Sequence, residues 1–280
     1  MAGYAKYAVV LVIIAALVAG YALYSGGPRG GAATSTIQTN AKANSTTLSS
    51  SVRTTTAIPI ASPQAYWKFD EGSGTTAYDS SGNGNAATLV NSPEWVAGKT
   101  GYALGFNGNN QYLSTNYSGV SGDGARTFTA WIRTTSCFKP VCDVLTYGSE
   151  SPGARIEWSV EGNDLGLRVY DAYIVYSAPN LTNGNWHFIA IVIPQGAAPI
   201  GARMYEDGQL LGTVTESQFD TSSIDTGSAH SVNIGRMYAG ANVVGTPAPR
   251  GTAYFNGSID DLRIYNAALN ASQIQGLYAA

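Results

Sequence analysis

Charge is scarce in this chain. Asp, Glu, Lys and Arg together make up 12% of its 280 residues, about half the usual share. The net charge is −3, so no basic surface is on offer to a nucleic acid. Only two histidines and two cysteines occur. Two cysteines are too few ligands for a zinc site of their own. Neither a Gly-x-Ser-x-Gly elbow nor a phosphate-cradling glycine loop is present, so the commonest marks of serine hydrolases and nucleotide enzymes are missing. Helical periodicity is also missing: no 3.6-residue pattern lasts beyond two turns until the end of the chain.

What is present points outside the cell. Hydrophobic residues reach 44%, with 33 Gly and 18 Tyr, enough apolar material for a sizeable core. Low charge with many Gly, Ser, Thr, Asn and Tyr fits an all-β extracellular protein better than a cytosolic enzyme. Cys137 and Cys142 enclose four residues, and in an oxidising compartment they read as a disulfide closing a short loop. The alternative is a pair of free thiols. If paired, they staple a hairpin end or hold a tip that presents Phe138 and Lys139.

The first 24 residues contain an apolar run from Tyr7 to Tyr24. As a helix it would span about 27 Å, just enough for the hydrocarbon core of a bilayer. Tyr4, Tyr7, Tyr21 and Tyr24 flank it like an aromatic belt. It reads as a membrane anchor, with a cleaved signal peptide as the alternative. Residues 25–63 then hold fifteen Ser and Thr, no acid and no aromatic. Such a stretch cannot bury enough apolar surface to offset its ordering entropy, so it reads as a disordered stalk. Asn-x-Ser/Thr sequons lie at Asn44, Asn116, Asn180, Asn256 and Asn270.

Residues 64–280 form the folded domain in this reading. Phe128 to Arg133 alternates, with Phe128, Ala130 and Ile132 on one face and Thr129, Trp131 and Arg133 on the other. Trp186 to Ile193 is apolar on both faces, as in a central strand covered on both sides. Arg203 to Val214 reads as a hairpin turning at Asp207-Gly208. Leu165 to Ser177 reads as another, turning at Asp171-Ala172. Trp67, Trp131, Trp158 and Trp186 fall in strands and Trp95 in a loop. Many short strands with such turns predict a two-sheet antiparallel sandwich or jelly roll. At the end, Asn270 and Gln273 form a capping box, and Leu269 and Ile274 a hydrophobic staple, for a helix over about 271–278. A glycan on Asn270 would disturb that cap.

Eight ordered blocks carry a family resemblance. They begin with Tyr66-Trp67-Lys68-Phe69-Asp70-Glu71-Gly72 and Asp79-Ser80-Ser81-Gly82-Asn83-Gly84. Gly98-Lys99-Thr100-Gly101-Tyr102, Phe128-Thr129-Ala130-Trp131 and Asn185-Trp186-His187 follow. Tyr205-Glu206-Asp207-Gly208, Asn233-Ile234-Gly235-Arg236 and Ser258-Ile259-Asp260-Asp261-Leu262-Arg263-Ile264-Tyr265 close the series. This pattern resembles the laminin G-like, concanavalin A-like jelly roll. The resemblance implies fold more than function, because the family spans carbohydrate-binding modules, adhesion modules and parts of larger enzymes. Terminal strands often lie side by side in it and calcium is common, which implies a calcium site from Asp70, Asp79, Asn83 and Asp261. The alternative for these residues is turns and strand ends.

Flat aromatic rings stack on sugars, so Trp131, Tyr170, Tyr173 and Tyr176 are the candidate ligand-binding residues, with Trp131 lining a concave groove. Catalysis has little to stand on. Glu157 and Glu161 are the nearest approach to a glycosidase pair, but as i and i+4 on a strand they lie about 13 Å apart, beyond the two-carboxylate range of about 5–9.5 Å. The sequence therefore predicts a non-enzymatic cell-surface binding or adhesion protein for a glycan or a glycosylated surface protein. The runner-up is a structural subunit of a surface layer or filament, followed by a divergent glycoside hydrolase. The expected location is a single-pass membrane protein with its domain outside, or a secreted protein if the apolar segment is removed.

Overall fold

The computed structural model describes residues 60–137, 141–169, 172–196, 200–215, 224–237 and 253–280. The apolar segment 1–24, most of the stalk, Asn44, Tyr170 and the Phe138–Lys139 tip lie outside the described residues. Among the described residues no helix is long and apolar enough to cross a membrane.

Among the described residues sixteen strands and one helix follow in order: β1 Ala65–Trp67, β2 Thr76–Ala77, β3 Ala87–Val90, β4 Glu94–Ala97, β5 Tyr102–Asn107 and β6 Tyr112–Thr115. Next come β7 Arg126–Arg133, β8 Cys142–Gly148, β9 Arg155–Glu161, β10 Asp164–Val169, β11 Ala172–Ser177 and β12 Trp186–Ile193. The chain closes with β13 Arg203–Glu206, β14 Gln209–Thr213, β15 His230–Ile234, β16 Asn256–Tyr265 and α1 Ala271–Tyr278. They form two eight-stranded antiparallel sheets. One runs β14-β13-β12-β7-β16-β5-β4, with β1 also on β16; the other runs β11-β10-β9-β8-β15-β6-β3-β2.

Alternation along the strands sets the layers. Phe128, Ala130 and Ile132 of β7, and Ile189, Ile191 and Ile193 of β12, face the second sheet and its Ile156, Trp158 and Val160. Phe128 lies 6.1 Å from Trp158, ring to ring. The opposite face of β7 and β12 is apolar too, because α1 covers it. Trp131, Phe188, Ala190 and Val192 form a second core there with Leu269 and Ile274. That explains why Trp186–Ile193 shows no polar face. The predicted capping box is present: Asn270 Oδ1 accepts from Gln273 N, and Asn270 N donates to Gln273 Oε1. Leu269 and Ile274, both at most 1% exposed, dock the helix and stabilise it by about 2 kcal/mol each.

The Asp207-Gly208 turn joins Glu206 to its partner Gln209, with both turn residues at positive φ, 49° and 76°, as a two-residue hairpin of this hand requires. The second predicted hairpin is present, but Ala172 pairs with Val169 and so belongs to strand β11 and not to the turn. Two other expectations change. Trp95 lies in strand β4. The Cys137–Cys142 disulfide is present, but it ties the loop that follows β7 to the first residue of β8, and those strands belong to different sheets, so it staples a crossover between sheets and not a hairpin end.

One buried charge is satisfied without any carboxylate. Arg126 has no solvent exposure, yet its guanidinium donates to the carbonyls of Val120, Gly122 and Gly124 and to the hydroxyls of Tyr147 and Thr226. Five oxygens offset the desolvation of one cation.

Candidate functional site

A cleft of about 440 Å³ opens beside α1, on the outer face of the β7–β16 sheet. Its residues come from four distant places: Tyr66, Lys68 and Asp70 at the start of the domain, Lys99 and Thr100, Trp131, and Asp260, Asp261, Arg263, Leu277 and Tyr278 at its end. Antiparallel pairing of β1 with β16, which sets Tyr66 opposite Arg263, brings the two ends together.

A bulge builds the acidic wall. Along β16 the register with β7 slips between Asp260 and Arg263, and Asp261 takes a positive φ of 50°. The inserted residue lets Ile259 and Leu262 both face the core, while Asp260, Asp261 and Arg263 all reach the cleft. Asp261 Oδ1 accepts from the Tyr66 hydroxyl at 2.5 Å and from Arg263 at 3.3 Å. Arg263 also donates to the Tyr66 oxygen at 2.7 Å and lies 4.2 Å from the centre of its ring. Burial, followed by the hydrogen bond to Asp261, holds the Tyr66 phenol well above its usual range.

Asp260 is 1% exposed. Its Oδ2 accepts the backbone N–H groups of Lys99 at 2.8 Å and Thr100 at 3.4 Å. Those two bonds favour the anion, but burial and the neighbouring Asp261 charge outweigh them, and the carboxyl is pushed up to about 7. The turn that supplies the donors has room only for glycine. A Cβ on Gly98 would lie 2.4 Å from the Tyr102 carbonyl oxygen and 2.7 Å from Asp260 Oδ2. At Gly101, φ +61°, it would lie 2.1 Å from Asp70 Oδ1, the atom that accepts the Tyr102 N–H. The Gly98-Lys99-Thr100-Gly101 block is thus a backbone clasp gripped by two carboxylates.

The floor is aromatic. Trp131 meets Phe188 edge-on at 5.5 Å and Tyr278 at 5.6 Å, and Lys99 Nζ stands 4.3 Å above its ring. Trp131 is 7% exposed, so it lines the cleft under the helix. The face opposite Phe128, Ala130 and Ile132 is therefore the helix-covered face, not an open concave groove.

Of the predicted calcium residues, Asp70 and Asp261 reach this cleft, and Asp79 and Asn83 do not. Both Asp79 oxygens are occupied by the N–H groups of Tyr66, Ser81 and Asn85 and the Ser81 hydroxyl, and these hydrogen bonds outweigh burial to hold its carboxyl below the usual range. Asn83 donates to the Gln64 carbonyl. The four do not gather as one oxygen cage, so they do not fit a shared calcium ion.

The tyrosines separate as well. Tyr173 and Tyr176 stand three apart on β11 and face opposite ways. Tyr173 donates to Glu161 and stacks under Arg168, 3.7 Å away. Tyr176 packs against the core and the β14 edge at Gly212. Beside Tyr173 lies a charged stripe on the outer face of the second sheet. Glu157, with no exposure, pairs with Arg155 at 2.6 Å and Arg168 at 4.0 Å. Glu161 meets Arg168 and Ser159.

Sequence reasoning missed Tyr66, Lys68, Lys99, Arg263 and Tyr278 as site residues. All but Tyr278 sit in the blocks that carried the family resemblance, but nothing local marks them as neighbours.

Known proteins share this architecture. The family model of the concanavalin A-like lectin/glucanases superfamily, laminin G type, matches residues 107–275. No curated protein sequence matches the chain. Among solved structures, domain 4 of an extracellular GH43 arabinanase from Geobacillus stearothermophilus, in complex with arabinotriose, is 22% identical with a TM-score of 0.56, covering 79% of this chain and 100% of that one. The binding domain of Paraclostridial Mosquitocidal Protein 1 is 17% identical with a TM-score of 0.55, covering 78% and 52%. A Trypanosoma rangeli sialidase bound to 2,3-difluorosialic acid is 18% identical with a TM-score of 0.53, covering 79% and 33%. The chain thus spans all of the first structure, about half of the second and a third of the third. At these identities the likeness is one of fold.

Proposed function

We propose that this chain, which belongs to the concanavalin A-like lectin/glucanases superfamily, is a non-enzymatic binding protein of a cell surface whose cleft beside α1 recognises a glycan or a glycosylated partner. The observation that carries the reading is the mixture of groups in that cleft. Tyr66 and Tyr278 supply rings, Asp70 and Asp261 accept hydrogen bonds, and Lys68, Lys99 and Arg263 donate them. Sugar rings present apolar faces and hydroxyls together, and a concave site with aromatic walls and a few fixed polar groups answers both.

The fold supports binding as well. Similar structures include a carbohydrate-complexed domain and a toxin binding domain. The arrangement of Glu157 and Glu161 argues against hydrolysis. Both are engaged by arginines, so neither is held apart as the proton donor a glycosidase requires. Display outside the cell, through the apolar segment and the stalk, belongs to the same proposal.

A glycan array tests it, using the full chain with and without calcium. Wild type should bind a defined set of glycans. A Lys68→Ala/Asp70→Asn double variant should lose at least tenfold in affinity, and Tyr173→Phe should lose nothing. Binding should survive chelation of calcium. Absence of wild-type binding, or equal binding by the double variant, overturns the reading.

A further inference from the structure

Far from the cleft in sequence, at the start of β12, His187 meets the turn between β13 and β14. Among the described residues one group of three His, Cys, Asp or Glu side chains brings its ligand atoms within 4.8 Å of one another: His187, Glu206 and Asp207. His187 Nδ1 lies 2.9 Å from Asp207 Oδ2 and 3.4 Å from Glu206 Oε1. Each element of this arrangement is fixed. Asp207 Oδ1 accepts the Phe188 N–H at 2.9 Å, and the Asp207 N–H donates to the Phe188 carbonyl at 2.8 Å. Glu206 pairs in register with Ile189.

The far side of the imidazole decides what the near side can do. Asn183 Oδ1 accepts the Asn185 backbone N–H at 2.8 Å, which identifies it as the oxygen of the amide. His187 Nε2 lies 3.1 Å from the same oxygen. An oxygen there only accepts, so Nε2 carries a proton and donates. In a neutral ring Nδ1 then holds a lone pair, aimed at two carboxylate oxygens. Lone pairs facing one another at such distances need a proton or a metal cation between them.

A second observation marks the same spot. Glu206 is 9% exposed, and its Oε1 is buried without a hydrogen-bond partner. Such an oxygen costs free energy unless something positive meets it.

We propose that His187, Glu206 and Asp207 form a binding site for a divalent transition-metal ion of the zinc class. Donors about 2.0–2.1 Å from a tetrahedral ion stand about 3.3 Å apart, and the two distances from Nδ1 bracket that value. One imidazole nitrogen with two carboxylates suits zinc, cobalt or nickel; calcium asks for six to eight oxygens. Asn183 is the outer partner that orients the ring, as metal-bound histidines require. When the ring enters as imidazolium, the Nδ1–H bond breaks, its proton leaves to solvent and the metal–nitrogen bond forms. Three protein donors leave a position for water or an external ligand, and the Asp207 side chain, 35% exposed, borders solvent on that side.

The test uses the full chain, stripped with a chelator and dialysed at about pH 7.5. Titration with cobalt(II) chloride should give visible absorption that saturates at one ion per chain. Zinc chloride at about 100 times its dissociation constant should raise Tm by about 5–10 °C, and equal calcium chloride should not. Glu206→Gln, which keeps shape and removes charge, should lose both responses, as should His187→Gln. If His187→Gln does not fold, Glu206→Gln decides alone. Wild type without either response, or Glu206→Gln with unchanged affinity, overturns the proposal. Neither variant touches the cleft, so glycan binding and metal binding can fail independently.

Discussion

Replacing Asp260 by Asn should make the protein more stable at neutral and alkaline pH and leave it little changed near pH 3. The carboxyl ordinarily titrates at 3.8 and in the fold is raised to about 7. Its folded value lies above its unfolded value, so the native state holds a proton that the unfolded chain has already released. The associated stability is present in full below 3.8 and is lost as pH rises through about 7. Ionising the group in place costs about 4 kcal/mol as a ceiling. Water entering the cleft and movement of the Lys99–Thr100 turn should reduce the measured cost to about 2 kcal/mol. Urea unfolding of both proteins at several pH values between about 3 and 8 reads this directly, because groups that do not interact with Asp260 titrate alike and cancel in the difference. The difference in unfolding free energy should shift by about 2 kcal/mol toward the variant across that range. A difference that stays constant with pH would refute the claim that burial and the Asp261 charge hold a proton on Asp260.

Two other substitutions probe how the site is supported. Asn270→Ala removes one half of the capping box and should lower stability by about 1 kcal/mol in the same urea assay; no change would mean that the α1 cap contributes nothing beyond the Ile274 contact. Gly98→Ala sets a methyl against the Tyr102 carbonyl and Asp260 and should cost about 1–3 kcal/mol together with glycan binding. Gly124→Ala meets nothing closer than 3.4 Å and should stay within about 1 kcal/mol of wild type.

The sandwich was legible because its signals are local. Period-two alternation in Phe128–Arg133, the Asp-Gly turn and the Asn270–Gln273 box each lie within a dozen residues. Parity along β7 correctly set Trp131 opposite Phe128. It said nothing about what covers that face, since α1 arrives from 140 residues downstream. Asp79 shows a different limit. Asp79 and Asn83 have the composition of a cation loop, but Asp79 accepts the N–H of Ser81, two residues on, and so acts as a turn cap. Asp-x-x-x-Asn alone does not distinguish the two. The cleft itself was illegible for a physical reason. It depends on a one-residue bulge at Asp260–Asp261, which moves both carboxylates to one side against the simple alternation of the strand.

The hydrogen bond from Tyr66 to Asp261 joins residues 195 apart in the chain, and the cleft's other wall is Tyr278. No fragment emerging from a ribosome possesses that wall until nearly the whole domain has been synthesised. Contacts of such long span are also the slow ones to form. The cleft is therefore a late product of folding. A nascent or partly folded copy would hold most of the sandwich yet lack the pocket, so any ligand captured there certifies a finished domain.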